Sequence, residues 1–495
     1  MKRVVQALLM ASVCSTAAFA GENLPQANSS WYKDAQKELQ QKLARTPNTN
    51  RAKNVIILIA DGNGVGTNYA TRIWQGQQEG KLGEEHVLSY EKFPYIALSK
   101  TYNSNAQTPD SAGTGTAMQT GIKTKAGVIG VDESVNRGDC AAVTKGSVAT
   151  IGELLAAEGK SIGFVSTARI THATPASGYA HSADRNFEDN SKLPEGCAQK
   201  DIADQLIEQM KAGVVDLAMG GGRRHFLPKD VKGEEGKGGK RTDGRNLIEE
   251  AKSAGISYVW NDETLGAVDL KKGPVLGLFE SSHMKYEYDR TGEPSLAEMV
   301  EASINALKDN ENGFFLQVEA GRVDHANHAG NLYRVLTDGV AFADAVAKAA
   351  EMTSAEDTLI IVTADHEHAI AFNGYCGRGT PIHGLCYDID PKGTKHTDKL
   401  KTFKDGKPYT VVGYLNGPGS VMREDKDWTG TRAELTQEQA IDPDFLQQSL
   451  NPSSSETHSG EDVAIYARGP WAHLVDGTVE QNYIFHVMHY AATGK

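Results

Sequence analysis

Three groups of aspartate and histidine side chains stand beside apolar segments of this sequence, where they could bind a metal ion. The groups are Asp324 with His328, Asp365 and His366 with His368, and His458. One helical turn would bring Asp324 and His328 to the same face, because they are four residues apart. Carboxylate and imidazole together suit a borderline cation such as zinc. A lone histidine is usually structural, but three such groups together predict a metal site.

A serine and a further aspartate could work with such a metal. Ser111 follows Asp110 and would begin a helix, where backbone N–H groups favour an anionic oxygen, although a serine there is commonly only an N-cap. No Gly-x-Ser-x-Gly motif surrounds Ser111, so a metal ion rather than a histidine base would have to activate it as a nucleophile. Asp61 follows the first strong strand candidate and could be a helix cap or a ligand.

These side chains need a scaffold that brings the ends of several strands together. The strand candidates are residues 54–60, 95–100, 161–166, 215–219, 275–279, 314–319, 358–363, 409–414 and 463–468, and the helix candidates between them are 111–120, 148–158, 202–211, 296–308, 332–352 and 479–492. Most of the strand candidates are apolar throughout, as strands covered on both faces are. The alternation predicts an α/β fold with a mostly parallel central sheet and helices on both faces.

Two regions depart from this alternation. Residues 21–51 form a polar arm with one predicted helix, Ser30–Leu43. Residues 372–456 are rich in Gly, Pro, Asp and Lys and have little predicted helix, and a strand candidate resumes at Val463, so we expect an insertion here. The catalytic α/β domain would then comprise residues 52–371 and 457–495.

The first 20 residues have the pattern of a bacterial signal peptide: a basic start, an apolar stretch, and Ala18-Phe19-Ala20 before the expected cleavage point. This pattern predicts a periplasmic or secreted protein. No other segment is apolar over enough residues to predict a membrane span, and residues 486–495 do not have the pattern of a lipid-anchor signal. We therefore expect no membrane anchor.

The charge balance also limits the function. Without residues 1–20 the chain keeps 64 acidic residues and has a net charge of about −15, which argues against binding nucleic acid or an anionic membrane. An anionic substrate would therefore need local positive charge, such as bound metal ions.

Four cysteines remain after residue 20, namely Cys140, Cys197, Cys376 and Cys386. An even number in an exported protein predicts two disulfides, for which three pairings are open. Cys376 with Cys386 closes a short loop and is the easiest local pair, which leaves Cys140 with Cys197. The alternative is four reduced, buried thiols.

The chain resembles the alkaline phosphatase family from about Asn54 to Arg468, because the motifs occur in the family's order. They are Asp110-Ser111-Ala112, His172-Ala173-Thr174-Pro175, Tyr179-Ala180-His181, Arg185, Glu319–His328, Thr363–His368 and Glu456–Asp462. They are more similar to the animal enzymes than to the enteric bacterial ones. The resemblance implies an alkaline phosphatase-like fold with residues 372–456 as a crown-like insertion, a homodimer, and hydrolysis of small phosphate monoesters through a phosphoserine.

The resemblance also implies two zinc ions, one magnesium ion and a role for each motif residue. One zinc would be bound by Asp324, His328 and His458, and the other by Asp61, Asp365, His366 and the Ser111 oxygen. Magnesium would be bound by Asp61, Thr174 and Glu319, with His172 as a water-mediated neighbour. Arg185 would hold the phosphate, and His368 would orient a ligand. His172 stands where enteric members have aspartate, which leaves the identity of the third metal open. The stretch from Glu280 to Glu293 resembles a calcium-binding stretch of animal members, so calcium is a further expectation.

Two other classes of function are alternatives. A sulfatase or phosphodiesterase of the same superfamily is one, but Ser111-Ala112-Gly113-Thr114 lacks the x-Pro-x-Arg sequence that sulfatases need after the modified residue. A non-catalytic protein that binds metal or phosphate is the other, and it would not need Ser111 and Arg185 together.

Overall fold

The computed structural model describes residues 24–393, 396–423 and 429–495. The predicted signal peptide, residues 1–20, lies outside them. The chain divides into two compact units, Met1–Pro47 and Asn48–Lys495. In the first unit the predicted arm helix is present as α1 (Ser30–Leu43), with no buried side chain.

The strands of the second unit are β1 (Asn54–Ala60), β2 (Tyr95–Lys100), β3 (Ser161–Arg169), β4 (Leu217–Gly221), β5 (Ser257–Val259), β6 (Val275–Leu278), β7 (Phe314–Ala320), β8 (Thr358–Ala364), β9 (Glu367–His368), β10 (Ile370–Phe372), β11 (Tyr387–Ile389), β12 (His396–Leu400), β13 (Val412–Gly417), β14 (Met422–Arg423), β15 (Thr429–Gly430), β16 (Ser449–Pro452), β17 (His458–Ser459), β18 (Val463–Arg468) and β19 (Thr478–Glu480). In the described residues, ten of them form a central sheet in the order β19-β2-β18-β8-β1-β7-β3-β4-β6-β5. Neighbouring strands are parallel except where β18 meets β2 and β8. This confirms the predicted mostly parallel sheet.

The helices of this unit are α2 (Val65–Gln78), α3 (Ser111–Thr120), α4 (Val143–Gly146), α5 (Ile151–Ala157), α6 (Ala173–Ala176), α7 (Ile202–Lys211), α8 (Leu247–Ser253), α9 (Asp262–Ala267), α10 (Leu296–Leu307), α11 (Arg322–His328), α12 (Leu332–Met352), α13 (Gln437–Ala440) and α14 (Tyr483–Thr493). They cover both faces of the sheet. Ile57 of β1 packs in a core with α3, α5, α7 and α14, whereas its neighbour Ile56 packs with α2, α10 and α12. Successive side chains of a strand point to opposite faces, which is why β1 is apolar from Val55 to Ala60.

The smaller strands lie mostly in the predicted insertion. β10, β13 and β16 form a three-stranded sheet, while β11 pairs with β12 and β14 pairs with β15. The insertion's boundaries and crown-like role stay a prediction. The helix predicted over residues 479–492 begins only at Tyr483, because Thr478–Glu480 pairs with β2 at the edge of the central sheet.

Both predicted disulfides are present, Cys140–Cys197 and Cys376–Cys386. They join residues 57 and 10 positions apart. None of the helices in the described ranges has the length and apolar character needed to cross a membrane.

Candidate active site

Three neighbouring strands end at the same level and place acidic residues side by side. Ala60, the last residue of β1, is in register with Ala320 of β7 and with Ala364 of β8. Asp61 and Asp365 therefore follow directly at the same edge of the sheet. The backbone N–H of Gly62 donates to Oδ1 of Asp365 at 3.0 Å, which ties the two strand ends together.

The residues predicted for the first zinc lie in contact. Asp324 and His328 occupy one turn of α11, with Oδ1 and Nε2 3.3 Å apart. Nε2 of His458 is 3.3 Å from the same oxygen and 3.1 Å from Nε2 of His328. His458 reaches this point because β17 pairs with β9, where it faces His368. One ligand atom from each of these four residues lies within 4.8 Å of the others.

The residues predicted for the second zinc surround Ser111. Nε2 of His366 is 3.3 Å from Oδ1 of Asp61 and 3.4 Å from Oδ2 of Asp365. Ser111 is the first residue of α3, and its Oγ is 3.4 Å from Oδ1 of Asp61 and 3.3 Å from Nε2 of His366. The serine thus lies within direct reach of two predicted ligands.

Oxygen atoms of the predicted magnesium ligands are buried without hydrogen-bond partners. They are Oδ2 of Asp61, Oγ1 of Thr174 and Oε1 of Glu319. Buried oxygens are normally paired, so a set of three unpaired ones needs a partner. An oxygen-preferring cation such as magnesium fits this donor set. His172 also offers a nitrogen within 4.8 Å of carboxylate oxygens of Asp61 and Glu319.

The tautomers of the predicted zinc-binding histidines favour a metal ion. Nδ1 of His328 lies 2.5 Å from the carbonyl of Glu456, Nδ1 of His458 lies 2.9 Å from that of Pro109, and Nδ1 of His366 lies 3.2 Å from that of Glu367. A carbonyl only accepts, so the proton is on Nδ1 and the lone pair is on Nε2 in each ring. Backbone groups behind ligating histidines commonly fix this tautomer.

The carboxylates of the site interact strongly with one another. Burial raises the pKa of Asp61 well above its ordinary value, and the charge of Asp365 raises it further. Burial also raises the pKa of Glu319, to about 7. Burial opposes ionisation of Asp324 too, but its interactions with His328, His368 and His458 lower its pKa well below the ordinary value. Bound divalent cations would stabilise these buried carboxylates in their charged form.

The N-cap of α3 holds the predicted phosphate-binding arginine. Asp110 accepts from the N–H of Gly113 at 3.1 Å, and its other oxygen accepts from the N–H of Gly127 at 2.9 Å and from Nη1 of Arg185 at 3.1 Å. Nη2 of Arg185 lies 3.2 Å from Nε2 of His172. Burial opposes ionisation of Asp110, but Arg185 and the backbone donors lower its pKa overall. Sequence reasoning missed this link between Asp110 and Arg185.

Other contributors were also missed. The carboxylate of Glu367 accepts from the N–H of Gly66 at 3.0 Å and from Oγ1 of Thr67 at 3.2 Å, at the start of α2. His283 and His325 each place a ring nitrogen within 4.8 Å of one on His172. The only signal in the sequence was that Glu367, His283 and His325 lie in stretches that resemble the family. No local pattern shows which groups these side chains contact.

Comparison with known proteins agrees with the motifs. A family model described as alkaline phosphatase matches residues 52–493. The tissue-nonspecific alkaline phosphatase of Rattus norvegicus is 43% identical over 98% of this chain and 92% of its own length. The chain belongs to the alkaline phosphatase family. It is accordingly a phosphomonoesterase, and the alternative functions are not favoured.

Solved structures of two bacterial alkaline phosphatases share the fold. The enzyme from the Antarctic bacterium TAB5 superposes with a TM-score of 0.61 at 22% identity, covering 90% of this chain and 100% of its own. The Thermus thermophilus enzyme gives 0.63 at 23% identity, covering 91% and 93%. At these identities the likeness shows the fold alone, and it confirms the predicted alkaline phosphatase-like architecture.

The carboxylates of the calcium-like stretch have protein cations as neighbours. Oε1 of Glu280 lies 3.2 Å from Nζ of Lys237, and Oε1 of Glu293 lies 3.5 Å from Nζ of Lys285. Within the described ranges, neither glutamate belongs to a group of three side chains close enough to hold a metal. A calcium ion here stays a prediction.

Proposed function

We propose that this alkaline phosphatase hydrolyses small phosphate monoesters through a phosphoserine formed on Ser111. The contact of the Ser111 hydroxyl with both Asp61 and His366 is the observation that carries this proposal. It places the hydroxyl of a buried serine between groups that suit a cation, at the start of a helix.

The residues fit two zinc ions and one magnesium ion. One zinc would be held by Asp324, His328 and His458. The other would be held by Asp61, Asp365 and His366, and the magnesium by Asp61, Thr174 and Glu319. When bound, such cations supply Lewis acidity and lower the pKa of oxygen ligands.

The chain's own residues perform the transfer. The oxygen of Ser111 attacks phosphorus in line, the bond to the leaving oxygen breaks, and water later releases phosphate from the serine by the same displacement. Arg185, held in place by Asp110, presents a planar fork that forms two parallel hydrogen bonds with phosphoryl oxygens. The N–H groups at the start of α3 add partial positive charge beside Ser111.

The wider assignment follows from the sequence. We propose an exported protein, periplasmic or secreted, whose residues 1–20 are removed. The family resemblance supports a homodimer that acts on small phosphate monoesters, and the net charge of about −15 argues against a nucleic-acid partner. The catalytic domain would comprise residues 52–371 and 457–495, with residues 372–456 as the crown-like insertion.

Exchange of Ser111 for alanine tests the proposal. We expect no phosphoenzyme to be trapped from labelled substrate, and turnover of p-nitrophenyl phosphate should fall by on the order of 10³-fold or more, with zinc content retained. Ser295→Ala is the matched control, because Ser295 caps α10 outside this site and should leave phosphorylation intact. Activity on the diester bis(p-nitrophenyl) phosphate, measured beside activity on the monoester, separates a phosphodiesterase from a phosphomonoesterase. A chelator shows whether the activity needs a metal ion. Labelled phosphate on another residue of the Ser111→Ala protein would contradict the assignment.

A further inference from the structure

One glutamate lies behind the first predicted zinc cluster. Glu456 is two residues before His458 and is 1% exposed. Its backbone carbonyl lies 2.5 Å from Nδ1 of His328, and its N–H donates to the carbonyl of His328 at 2.9 Å. Because the carbonyl can only accept, the contact sets both the orientation and the tautomer of the His328 ring.

The side chain of Glu456 holds a second imidazole. Oε2 lies 2.5 Å from Nδ1 of His368, and Oε1 accepts from the N–H of Ala369 at 2.7 Å. The other nitrogen of His368, Nε2, lies 2.9 Å from Oδ1 of Asp324. Both carboxylates are acceptors, so His368 donates at both ends and links Glu456 to Asp324.

His368 consequently differs from the three histidines predicted to bind zinc. His328, His366 and His458 keep a lone pair on Nε2, whereas both ring nitrogens of His368 donate hydrogen bonds to carboxylates. It therefore transmits the position of Glu456 to a predicted ligand, Asp324. Glu456 thus controls one ligand through its backbone and a second through its side chain.

We propose that Glu456 is a positioning residue of the first zinc site, orienting Asp324 through His368 and His328 through its own carbonyl. The inference rests on the proposed function, whose zinc ligands it takes as given, and it adds one residue that is not itself a ligand. Groups that orient metal ligands from behind typically contribute about 10–100-fold in metal affinity. Without the carboxylate, the N–H groups of His368 and Ala369 would be buried without acceptors, and Asp324 would lose its fixed neighbour.

The variant Glu456→Gln tests this with little change of volume. Its amide oxygen can still accept one hydrogen bond, but the side chain has lost its charge. We would strip the full-length protein of metal, add magnesium, and titrate zinc in competition with a chromophoric chelator. We expect one zinc equivalent to bind 10–100-fold more weakly than in the wild type and the other to be unchanged. Activity should fall at limiting zinc and recover in excess zinc.

Glu188→Gln is the matched control, since Glu188 is also buried but pairs with Arg169 through two hydrogen bonds of 2.7 Å. It should lower stability without changing zinc affinity. Wild-type affinity at both sites in folded Glu456→Gln protein, or equal weakening in the control, would overturn the inference.

Two further outcomes are informative. If Glu456→Gln does not fold, His368→Asn cuts the same link from its other end and must show the same selective loss of zinc. Unchanged zinc affinity in that variant would equally overturn the inference. If the wild-type protein itself binds no zinc, the proposed function fails, which is distinct from a failure of the role given to Glu456.

Discussion

Exchange of Arg185 for lysine tests how this alkaline phosphatase holds the phosphoryl group. Nη1 of Arg185 is 3.1 Å from Asp110 and Nη2 is 3.2 Å from His172, so these two contacts fix the orientation of the guanidinium. Lysine keeps the charge but cannot form two parallel bonds with phosphate. The loss of one hydrogen bond to a charged group is worth about 1.5–3 kcal/mol. This corresponds to a fall of about 10- to 150-fold in kcat/KM.

The same exchange should have little effect on the fold. Asp110 keeps its hydrogen bonds from the N–H groups of Gly113 and Gly127, so the start of α3 stays capped. We would measure kcat/KM for p-nitrophenyl phosphate, inhibition by inorganic phosphate, and the melting temperature. The melting temperature should remain near that of the wild type, while phosphate should inhibit more weakly.

A surface arginine provides the matched control. Arg245 binds Glu250 of α8 through two hydrogen bonds, of 2.9 and 2.8 Å, away from Asp110 and Ser111. Arg245→Lys should leave both kcat/KM and phosphate inhibition unchanged. If Arg185→Lys also leaves both unchanged, Arg185 does not hold the phosphoryl group by a fork, and the reasoning from its geometry is wrong.

Three other predictions concern the metal ligands and their surroundings. His458→Ala should lose about one zinc per chain, since two protein ligands are too few for tight binding; metal analysis checks this, and full zinc with normal turnover would contradict it. Glu367→Ala should lower the free energy of unfolding by about 1–3 kcal/mol, measured in urea, because donors at Gly66 and Thr67 lose their acceptor; an unchanged midpoint would count against this. Burial raises the pKa of Glu319 to about 7, so its contribution to the stability of metal-free protein is greatest below its ordinary pKa and is lost as pH rises through 7. The melting temperature of the metal-free protein should therefore fall from pH 5 to 8, and zinc and magnesium should remove this fall. Identical pH profiles with and without metals would refute this.

Much of the fold could be predicted because central strands carry a strong local signal. β1, β2 and β18 have the predicted bounds, and β1 in particular is apolar from Val55 to Ala60, as burial on both faces requires. Strands at the sheet edges were missed. β5 has only three residues. β19 overlaps the first residues of the helix predicted over 479–492, and there its pairing with β2 outweighs local propensity.

The candidate site divides in the same way. Residue types and their order in the sequence determined which functional groups are available: a serine as nucleophile, carboxylates and imidazoles to bind cations, and an arginine to bind phosphate. Tertiary structure decided which of these meet. His328 and His458 are 130 positions apart and come together only because β17 pairs with β9.

The role of Glu456 was decided entirely by tertiary structure. In the sequence it is the first residue of the motif Glu456–Asp462, which gives no sign of its contacts. Its function depends on which donors its carboxylate and its carbonyl face. These donors belong to His368 and His328, 88 and 128 positions away. Metal-ligand types can be read from a motif, but the groups that orient them are set by packing between distant segments, which local sequence does not specify.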